Sequence, residues 1–236
     1  MADIPELNPA DYSSIVFFTG AGMSAESGIP TYRGAGGIWH EYHWEEYACQ
    51  QAFDTDPDKV LDFHELRRAK VRECRPHRGH DIITRIQKQH PDCWIVTQNI
   101  DGMHQHAGSG NVVELHGSLW RLRCEQHGVV EDHGDKYKIR RCPDCSNPLR
   151  PDITWFNDML DSMVLQKTHE LVMRAELFIA VGTSGVVYPA ALFPRLAREA
   201  GARCVFINTE ATADASIYDI VVQGKASEVL TKIFPE

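Results

Sequence analysis

Short apolar runs rich in β-branched and aromatic residues recur along the chain, separated by longer stretches that mix apolar and polar residues. The short runs are typical of buried strands, and the mixed stretches are typical of helices. The predicted strands are Ile15–Thr19, Cys93–Thr97, Val112–Leu115, Ile153–Phe156, Leu177–Val181, Cys204–Ile207 and Ile220–Val222. This alternation predicts an α/β fold with a Rossmann-type parallel sheet as its core.

The predicted helices lie between these strands. They are Gly79–His90, Lys167–Arg174, Pro189–Ala200 and Ala226–Phe234. Gly201 stands where a helix-terminating glycine belongs. Two segments interrupt the alternation: 41–75 is polar and helical in pattern, and 121–150 holds three closely spaced cysteines. We expect the two segments to form a small second domain, part helical and part zinc ribbon.

The chain is thus predicted to be a single unit over residues 1–236 with two parts. The large Rossmann-type core comprises approximately 1–40, 76–120 and 151–236. The small domain comprises approximately 41–75 and 121–150. A cleft between two such parts is a common place for a ligand.

Composition and charge narrow the class of protein. The 236 residues are 43% hydrophobic, which suits a packed globular protein, and the net charge of −9 argues against a general affinity for nucleic acid. The simpler interpretation of an acidic surface is that it keeps the protein soluble. It would also favour basic partners such as lysine-bearing tails. Neither a signal peptide nor an apolar run of transmembrane length is evident. The seven cysteines do not resemble a disulfide framework, so we expect a cytoplasmic protein with a metal site and no membrane partner.

A glycine-rich turn follows the first predicted strand. Gly20-x-Gly22-x-x-Ala25 matches the dinucleotide-binding fingerprint, although an ordinary turn between a strand and a helix is the alternative. We expect Gly20 to allow a tight turn, Gly22 to let the backbone approach a pyrophosphate, and Ala25 to let the next helix pack closely. Ala21 lies within this turn. The long loop that follows carries three further candidate cofactor contacts, Tyr32, Arg33 and Trp39.

The cysteine cluster has the spacing of a metal site. Cys124-x-x-His127 is followed after fourteen residues by Cys142-x-x-Cys145, which suits tetrahedral Zn2+. His133 remains an alternative to His127. Four protein ligands leave no open coordination position, so the metal would be structural, and the segment would need it to fold. A ribbon that binds nucleic acid is the other possibility, which the acidic net charge disfavours.

Polar residues follow several predicted strands, at the sheet edge where ligands bind in this architecture. Gln98-Asn99-Ile100-Asp101 follows the second strand and suits ribose and carboxamide groups, with a turn that caps the next helix as the alternative. His116 follows the third and is a candidate general base, with a structural role as the alternative. The remaining candidate cofactor contacts are Gly182, Thr183, Ser184, Asn208, Thr209, Glu210 and Ala226. The usual acidic residue about twenty positions past the glycines is missing, which argues against simple hydride transfer.

In these motifs and their order the chain resembles the sirtuin family over nearly its whole length. The motifs are Gly20–Ser24, Gly28–Arg33, Thr97–Asp101, His116-Gly117, the metal knuckles and Gly182–Ser184. The resemblance implies an NAD-dependent protein-lysine deacylase that releases nicotinamide and O-acyl-ADP-ribose. It implies His116 as the general base, Gln98 and Asn99 as ribose contacts, with Asn99 also catalytic, and Asp101 as the contact to the nicotinamide carboxamide. A protein ADP-ribosyltransferase and a non-catalytic NAD sensor remain alternatives.

Within the family, the Tyr32–Trp39 segment resembles the class III, bacterial branch that removes succinyl and malonyl groups. The resemblance implies that Ala35 leaves room for the acyl group and that Arg67 binds its carboxylate. His64 stands where that branch has a tyrosine, so we expect it to donate one hydrogen bond and to make activity depend on pH near neutrality. A solvated helix face is the alternative for this pair. His127 replaces a usual cysteine, and Trp155–Asp158 departs from the family's Phe-Gly-Glu, which would alter docking of the substrate backbone.

Overall fold

The computed structural model describes residues 4–32, 36–211 and 214–235, and it confirms the predicted parallel sheet. Over these residues the strands are β1 (Ile15–Thr19), β2 (Cys93–Thr97), β3 (Val112–Glu114), β4 (Gly117–Cys124), β5 (Gly128–Glu131), β6 (Arg150–Ile153), β7 (Leu177–Val181), β8 (Arg203–Asn208) and β9 (Ile220–Gln223). Six of them form a sheet in the order β3-β2-β1-β7-β8-β9, and every adjacent pair is parallel. The carboxyl ends of these strands therefore meet at one edge.

Helices cover both faces of this sheet. The helices of the described chain are α1 (Ala21–Ala25), α2 (Ile38–Glu41), α3 (Trp44–Tyr47), α4 (Gln50–Thr55), α5 (Pro57–Glu73), α6 (Arg78–Gln89), α7 (Met103–His106), α8 (Ser162–Arg174), α9 (Phe193–Glu199) and α10 (Ala226–Ile233). Residues of α6 and α10 pack on one face and residues of α8 and α9 on the other. Every residue of β1 and β7 is buried, as expected for strands covered on both faces. None of these helices is long and apolar enough to cross a membrane.

A second region lies beside the carboxyl edge of the sheet. Its three strands form an antiparallel sheet in the order β5-β4-β6, and α5 packs against β4 and β6. The Arg68 guanidinium of α5 is fully buried and pairs with Asp132 at 2.6 Å. Arg68 also donates to the carbonyl oxygen of Gly134 at 2.8 Å, so one helical side chain holds the turn that follows β5.

The prediction of a strand over Ile153–Phe156 was wrong. The strand there is β6, which ends at Ile153 and belongs to the small antiparallel sheet. The chain leaves the sheet afterwards because the amide of Trp155 donates to the Asp158 carboxylate at 3.0 Å and that of Phe156 donates to the Ala48 carbonyl at 3.1 Å.

Some helix boundaries also differ from the predicted ones. Helix α8 begins five residues earlier, at Ser162, because the Asp161 side chain caps its first turn. The predicted helix Pro189–Ala200 is a short 3-10 helix over Ala190–Leu192 followed by α9. Gly201, with φ of 95°, ends α9 in the left-handed conformation, as predicted.

Candidate active site and metal centre

A cavity of about 760 Å3 opens at the carboxyl edge of the parallel sheet, a volume typical of small-molecule sites. Its walls come from the ends of β1, β2, β7 and β8 and from α5 and the segment after β6. The predicted site residues that line it are Gly20, Ala21, Gly22, Ala25, Tyr32, Trp39, His64, Arg67, Gln98, Asn99, Ile100, His116, Gly182, Thr183, Ser184, Asn208, Thr209, Glu210 and Ala226. The fold thus collects into one cavity residues as distant in the chain as Gly20 and Ala226.

The glycines of the first loop also allow a close contact between two loops that the sequence did not predict, while their predicted role towards a pyrophosphate stays a prediction. Gly20 is extended, with φ of −126°, and a Cβ on it would lie 2.8 Å from the Gly182 carbonyl oxygen. A Cβ on Gly22 would lie 2.8 Å from the Gly182 Cα, and one on Gly182 would collide with the Met23 nitrogen. The three glycines therefore let the β1 and β7 loops touch. Ala25 is exposed at the end of the short α1 and lines the cavity, so the prediction that it packs a helix was wrong.

Amide side chains tie the sheet edge together beneath the cavity. Gln98 donates through Nε2 to Thr183 Oγ1 at 2.9 Å. Asn99 donates through Nδ2 to the Gly20 carbonyl at 2.9 Å, and Asn208 donates to the Thr183 carbonyl at 3.2 Å. Because these donors are engaged by protein, the amide oxygens of Gln98 and Asn99 are the atoms left to accept hydrogen bonds from hydroxyl groups of a ligand.

Asp101 is the described candidate that does not line the cavity. Its side chain is buried behind the cavity wall, where a carboxylate oxygen accepts from the Met103 amide at 2.9 Å. Burial raises the pKa of this carboxyl group, although the Met103 and Ser24 hydrogen bonds oppose that shift. Its predicted contact to a carboxamide therefore stays a prediction.

His116 combines access to the cavity with a defined proton position. It lies between β3 and β4 and lines the cavity, with its Nδ1 3.0 Å from the Gln98 carbonyl oxygen. A carbonyl oxygen only accepts, so Nδ1 carries the proton and Nε2 holds a lone pair. Burial lowers the pKa of the His116 imidazole below its ordinary value, while the Gln98 bond opposes that shift. The ring is therefore neutral at neutral pH, with the protonation state of a general base.

Arg67 and His64 lie together where α5 borders the cavity. The Arg67 guanidinium carbon lies 5.1 Å from the Tyr32 ring centroid, and its Nη2 donates to Tyr32 Oη at 3.4 Å. His64 is 3% exposed, and its Nδ1 lies 2.8 Å from the Val60 carbonyl oxygen. The pair thus borders the cavity, as predicted, and is not a solvated helix face.

The predicted chemistry of His64 was wrong in two respects. Burial lowers the pKa of His64 to about 3, and the charges of Arg67 and Arg150 lower it further. The ring therefore does not titrate near neutrality. Since Nδ1 donates to the Val60 carbonyl, the neutral ring has no second N–H to offer a carboxylate.

Two predicted residues, Arg33 and Ala35, lie outside the described residues. Prediction from sequence also missed several parts of the wall. These are Glu26, Phe63, Ile153, Thr154, Val187, Tyr188, Pro189 and Lys225. Phe63 lies four positions before Arg67 on a predicted helical segment, so helical spacing could have suggested it. The other residues carry no local signal, because their contribution depends on how β6 and the segment after β7 turn towards the cavity.

The metal candidates converge on one point. Among the described residues, the ligand atoms of Cys124, His127, Cys142 and Cys145 all lie within 4.8 Å of one another. His127 Nδ1 is 3.5 Å from the Cys124 sulfur and 3.4 Å from the Cys142 sulfur, and the Cys124 and Cys145 sulfurs are 3.6 Å apart. Tetrahedral Zn2+ requires separations of about 3.5–3.8 Å, so this donor set fits the ion. His133 instead faces Glu131 at 3.4 Å.

Comparison with known proteins finds similarity over most of the chain. A model of the "Sir2 family" matches residues 20–189. "NAD-dependent protein deacylase 2" of Pyrobaculum aerophilum is 45% identical over 94% of this chain and 90% of its own. A solved Sir2 homologue–NAD complex superposes with a TM-score of 0.87 at 38% identity, covering 95% of this chain and 89% of that one. A Sir2–p53 peptide–NAD+ structure superposes with a TM-score of 0.82 at 27% identity, covering 95% and 93%.

Proposed function

The chain belongs to the Sir2 family, and we propose that its cavity brings an acyl-lysine side chain of a protein together with NAD. The enzyme is an NAD-dependent protein-lysine deacylase. The products in this proposal are deacylated lysine, nicotinamide and O-acyl-ADP-ribose. When bound, NAD supplies the ribose carbon that the acyl oxygen attacks and the nicotinamide that leaves.

The observation that carries the proposed mechanism is the state of His116. Its unprotonated Nε2 accepts a proton from a ribose hydroxyl, while the Gln98 carbonyl holds the other ring nitrogen and orients the imidazole. The amide oxygens of Gln98 and Asn99 accept hydrogen bonds from ribose hydroxyls. The aromatic rings of Trp39 and Phe156, 5.7 Å apart, exclude water from the reacting groups.

Replacing His116 tests this role. His116→Tyr is expected to reduce deacylation by about 100-fold or more, the usual contribution of a general base, and to leave NAD binding in place. Nicotinamide release and calorimetric NAD binding measure the two effects separately. Unchanged turnover would remove His116 from the mechanism, and a wild type that binds NAD without turnover on any acyl peptide would support a sensor. Transfer of ADP-ribose to protein in the same assay would support the transferase alternative.

We also propose that the enzyme accepts acidic acyl groups such as succinyl and malonyl, as class III sirtuins of the bacterial branch do. Arg67 supports this proposal because it is the cation that lines the cavity beside His64, and a guanidinium binds a carboxylate through two parallel N–H groups. Arg67→Met is expected to lower kcat/KM for a succinyl-lysine peptide by at least about 10-fold and to leave acetyl-lysine nearly unchanged. An equal succinyl rate in the variant would contradict it.

The other parts of the proposal concern organisation, partners and location. Residues 41–75 and 121–150 would form a small domain beside the remainder. The partners would be acyl-lysine proteins and not nucleic acid, given the net charge of −9. The Zn2+ would be structural, since all four of its positions are taken by the chain. A cytoplasmic location is supported by the seven described cysteines, which form no disulfide and three of which are the candidate metal ligands.

A further inference from the structure

Two histidines face the cavity, and a backbone carbonyl sets the tautomer of each. His116 uses the Gln98 carbonyl at 3.0 Å, and His64 uses the Val60 carbonyl at 2.8 Å. The first lies at the sheet edge, where the ribose is expected. The second lies on α5, beside Arg67, where the acyl group is expected. The same contact from Nδ1 to a backbone carbonyl thus fixes the proton position of both histidines, one near the expected ribose and one near the expected acyl group.

The contact to Val60 leaves His64 with one open nitrogen. A carbonyl oxygen only accepts a hydrogen bond, so the proton of the neutral ring is on Nδ1 and the lone pair is on Nε2. Protonation of Nε2 would place a cation in a buried site that already feels Arg67 and Arg150, and this keeps the pKa of His64 far below neutrality. No described residue forms a hydrogen bond with Nε2.

An acceptor facing the end of the acyl group discriminates between acyl chains. A carboxylate or ketone oxygen is an acceptor, so its lone pairs would repel that of Nε2. A plain alkyl chain would leave Nε2 without a hydrogen-bond donor. A hydroxyl group can turn its hydrogen towards the nitrogen and satisfy it. A carboxylate, where present, has to bind on the Arg67 side of the cavity.

We propose that His64 selects acyl-lysine substrates whose acyl chain carries a hydroxyl group, which donates a hydrogen bond to Nε2. This inference rests on the proposed deacylase function and names a substrate class for it. The reaction is unchanged, since His64 neither gives nor takes a proton and contributes only to binding of the acyl group.

The first test uses the wild-type enzyme and one peptide sequence with five acyl groups: butyryl, 2-, 3- and 4-hydroxybutyryl, and acetoacetyl. At least one hydroxybutyryl peptide is expected to exceed butyryl in kcat/KM by about two- to tenfold, the usual worth of one hydrogen bond. Acetoacetyl, which carries an accepting oxygen in place of the donor of 3-hydroxybutyryl, is expected to fall below its hydroxyl counterpart. Three hydroxybutyryl peptides no better than butyryl, or acetoacetyl as good as 3-hydroxybutyryl, would overturn the proposal.

The second test removes the acceptor. His64→Phe keeps a ring in the site, and the preference for the hydroxyl peptide over butyryl is expected to disappear. Leu66→Ala, on the exposed side of the same helix, is the matched control and should keep the wild-type preference. If His64→Phe does not fold, the wild-type comparison still decides. A wild type that cleaves none of the peptides defeats the deacylase proposal with this one, whereas good butyryl cleavage without a hydroxyl preference defeats only this inference.

Discussion

The parallel sheet and the small zinc-bearing region differ in what stabilises them. Every residue of β1 and β7 is buried under two layers of helices. The small region has an apolar core of its own, but all four residues of β5 are exposed, and the region is also held by a buried ion pair and a metal site. Burial of apolar residues therefore contributes most to the sheet, whereas the small region also depends on charge and metal.

Removal of a metal ligand is expected to have the largest effect and to separate the two regions most clearly. Cys142→Ala should prevent tight Zn2+ binding, because structural zinc contributes about 10–16 kcal/mol of binding free energy in small zinc peptides. Amide exchange is expected to become fast in β4 and β5 and to stay slow in β1 and β7. Cys204→Ala, which removes a buried thiol remote from the metal, is the control. An equal loss of protection from amide exchange in β1 and β7 would contradict the proposed difference between the two regions.

Breaking the buried ion pair is expected to have the next largest effect. Asp132→Asn leaves the Arg68 guanidinium buried without its counter-charge, so the free energy of unfolding should fall by about 3–5 kcal/mol. Urea unfolding followed at the small region measures the change. The exposed pair of Lys59 and Glu46 in the same region is the control, because solvent screens a surface pair and its loss should change the unfolding free energy little. A similar small loss for both pairs would show that burial of Arg68 is unimportant.

Lowering the pH is expected to destabilise the sheet region, because it contains buried histidines that are uncharged at neutral pH. Burial lowers the pKa of His104 to about 3 and that of His80 to about 2, against about 6.5 when unfolded. The unfolded chain therefore binds more protons below pH 6.5, and stability is lost as pH falls from there towards 3. Each histidine contributes a slope of about 1.4 kcal/mol per pH unit. His104→Gln should reduce the slope of unfolding free energy against pH by that amount.

The smallest expected effect concerns catalysis at the sheet edge. Since the pKa of His116 lies below its ordinary value of about 6.5, the midpoint of the acid-side fall in kcat/KM should lie at a lower pH than that value. The measurement is the pH profile with an acetyl-lysine peptide. His64 should contribute no inflection near neutrality, because its pKa is about 3. An inflection above the ordinary histidine value would mean that burial does not govern His116.

Local sequence was sufficient to predict the parallel sheet and many of the residues that line the cavity. The strands β1, β2 and β7 match their predicted bounds, because consecutive apolar residues in short runs have few other stable arrangements. The prediction failed at Ile153–Phe156, where β-branched and aromatic residues suggested a strand but contacts to Ala48 and Asp158 direct the chain out of the sheet. The residue types around Ala48 and Asp158 do not indicate that these contacts form.

The amino-acid sequence by itself determined the α/β alternation, the three cysteine ligands of the metal and the polar residues at the strand ends, because each depends on residue type and spacing within a short segment. Only the tertiary structure decided that Gly22 serves contact with Gly182, that Asp101 lies behind the cavity wall, and that His64 accepts a hydrogen bond. A histidine's role depends on where its proton is. That depends on burial and on a particular carbonyl neighbour, which exist only once the chain has folded.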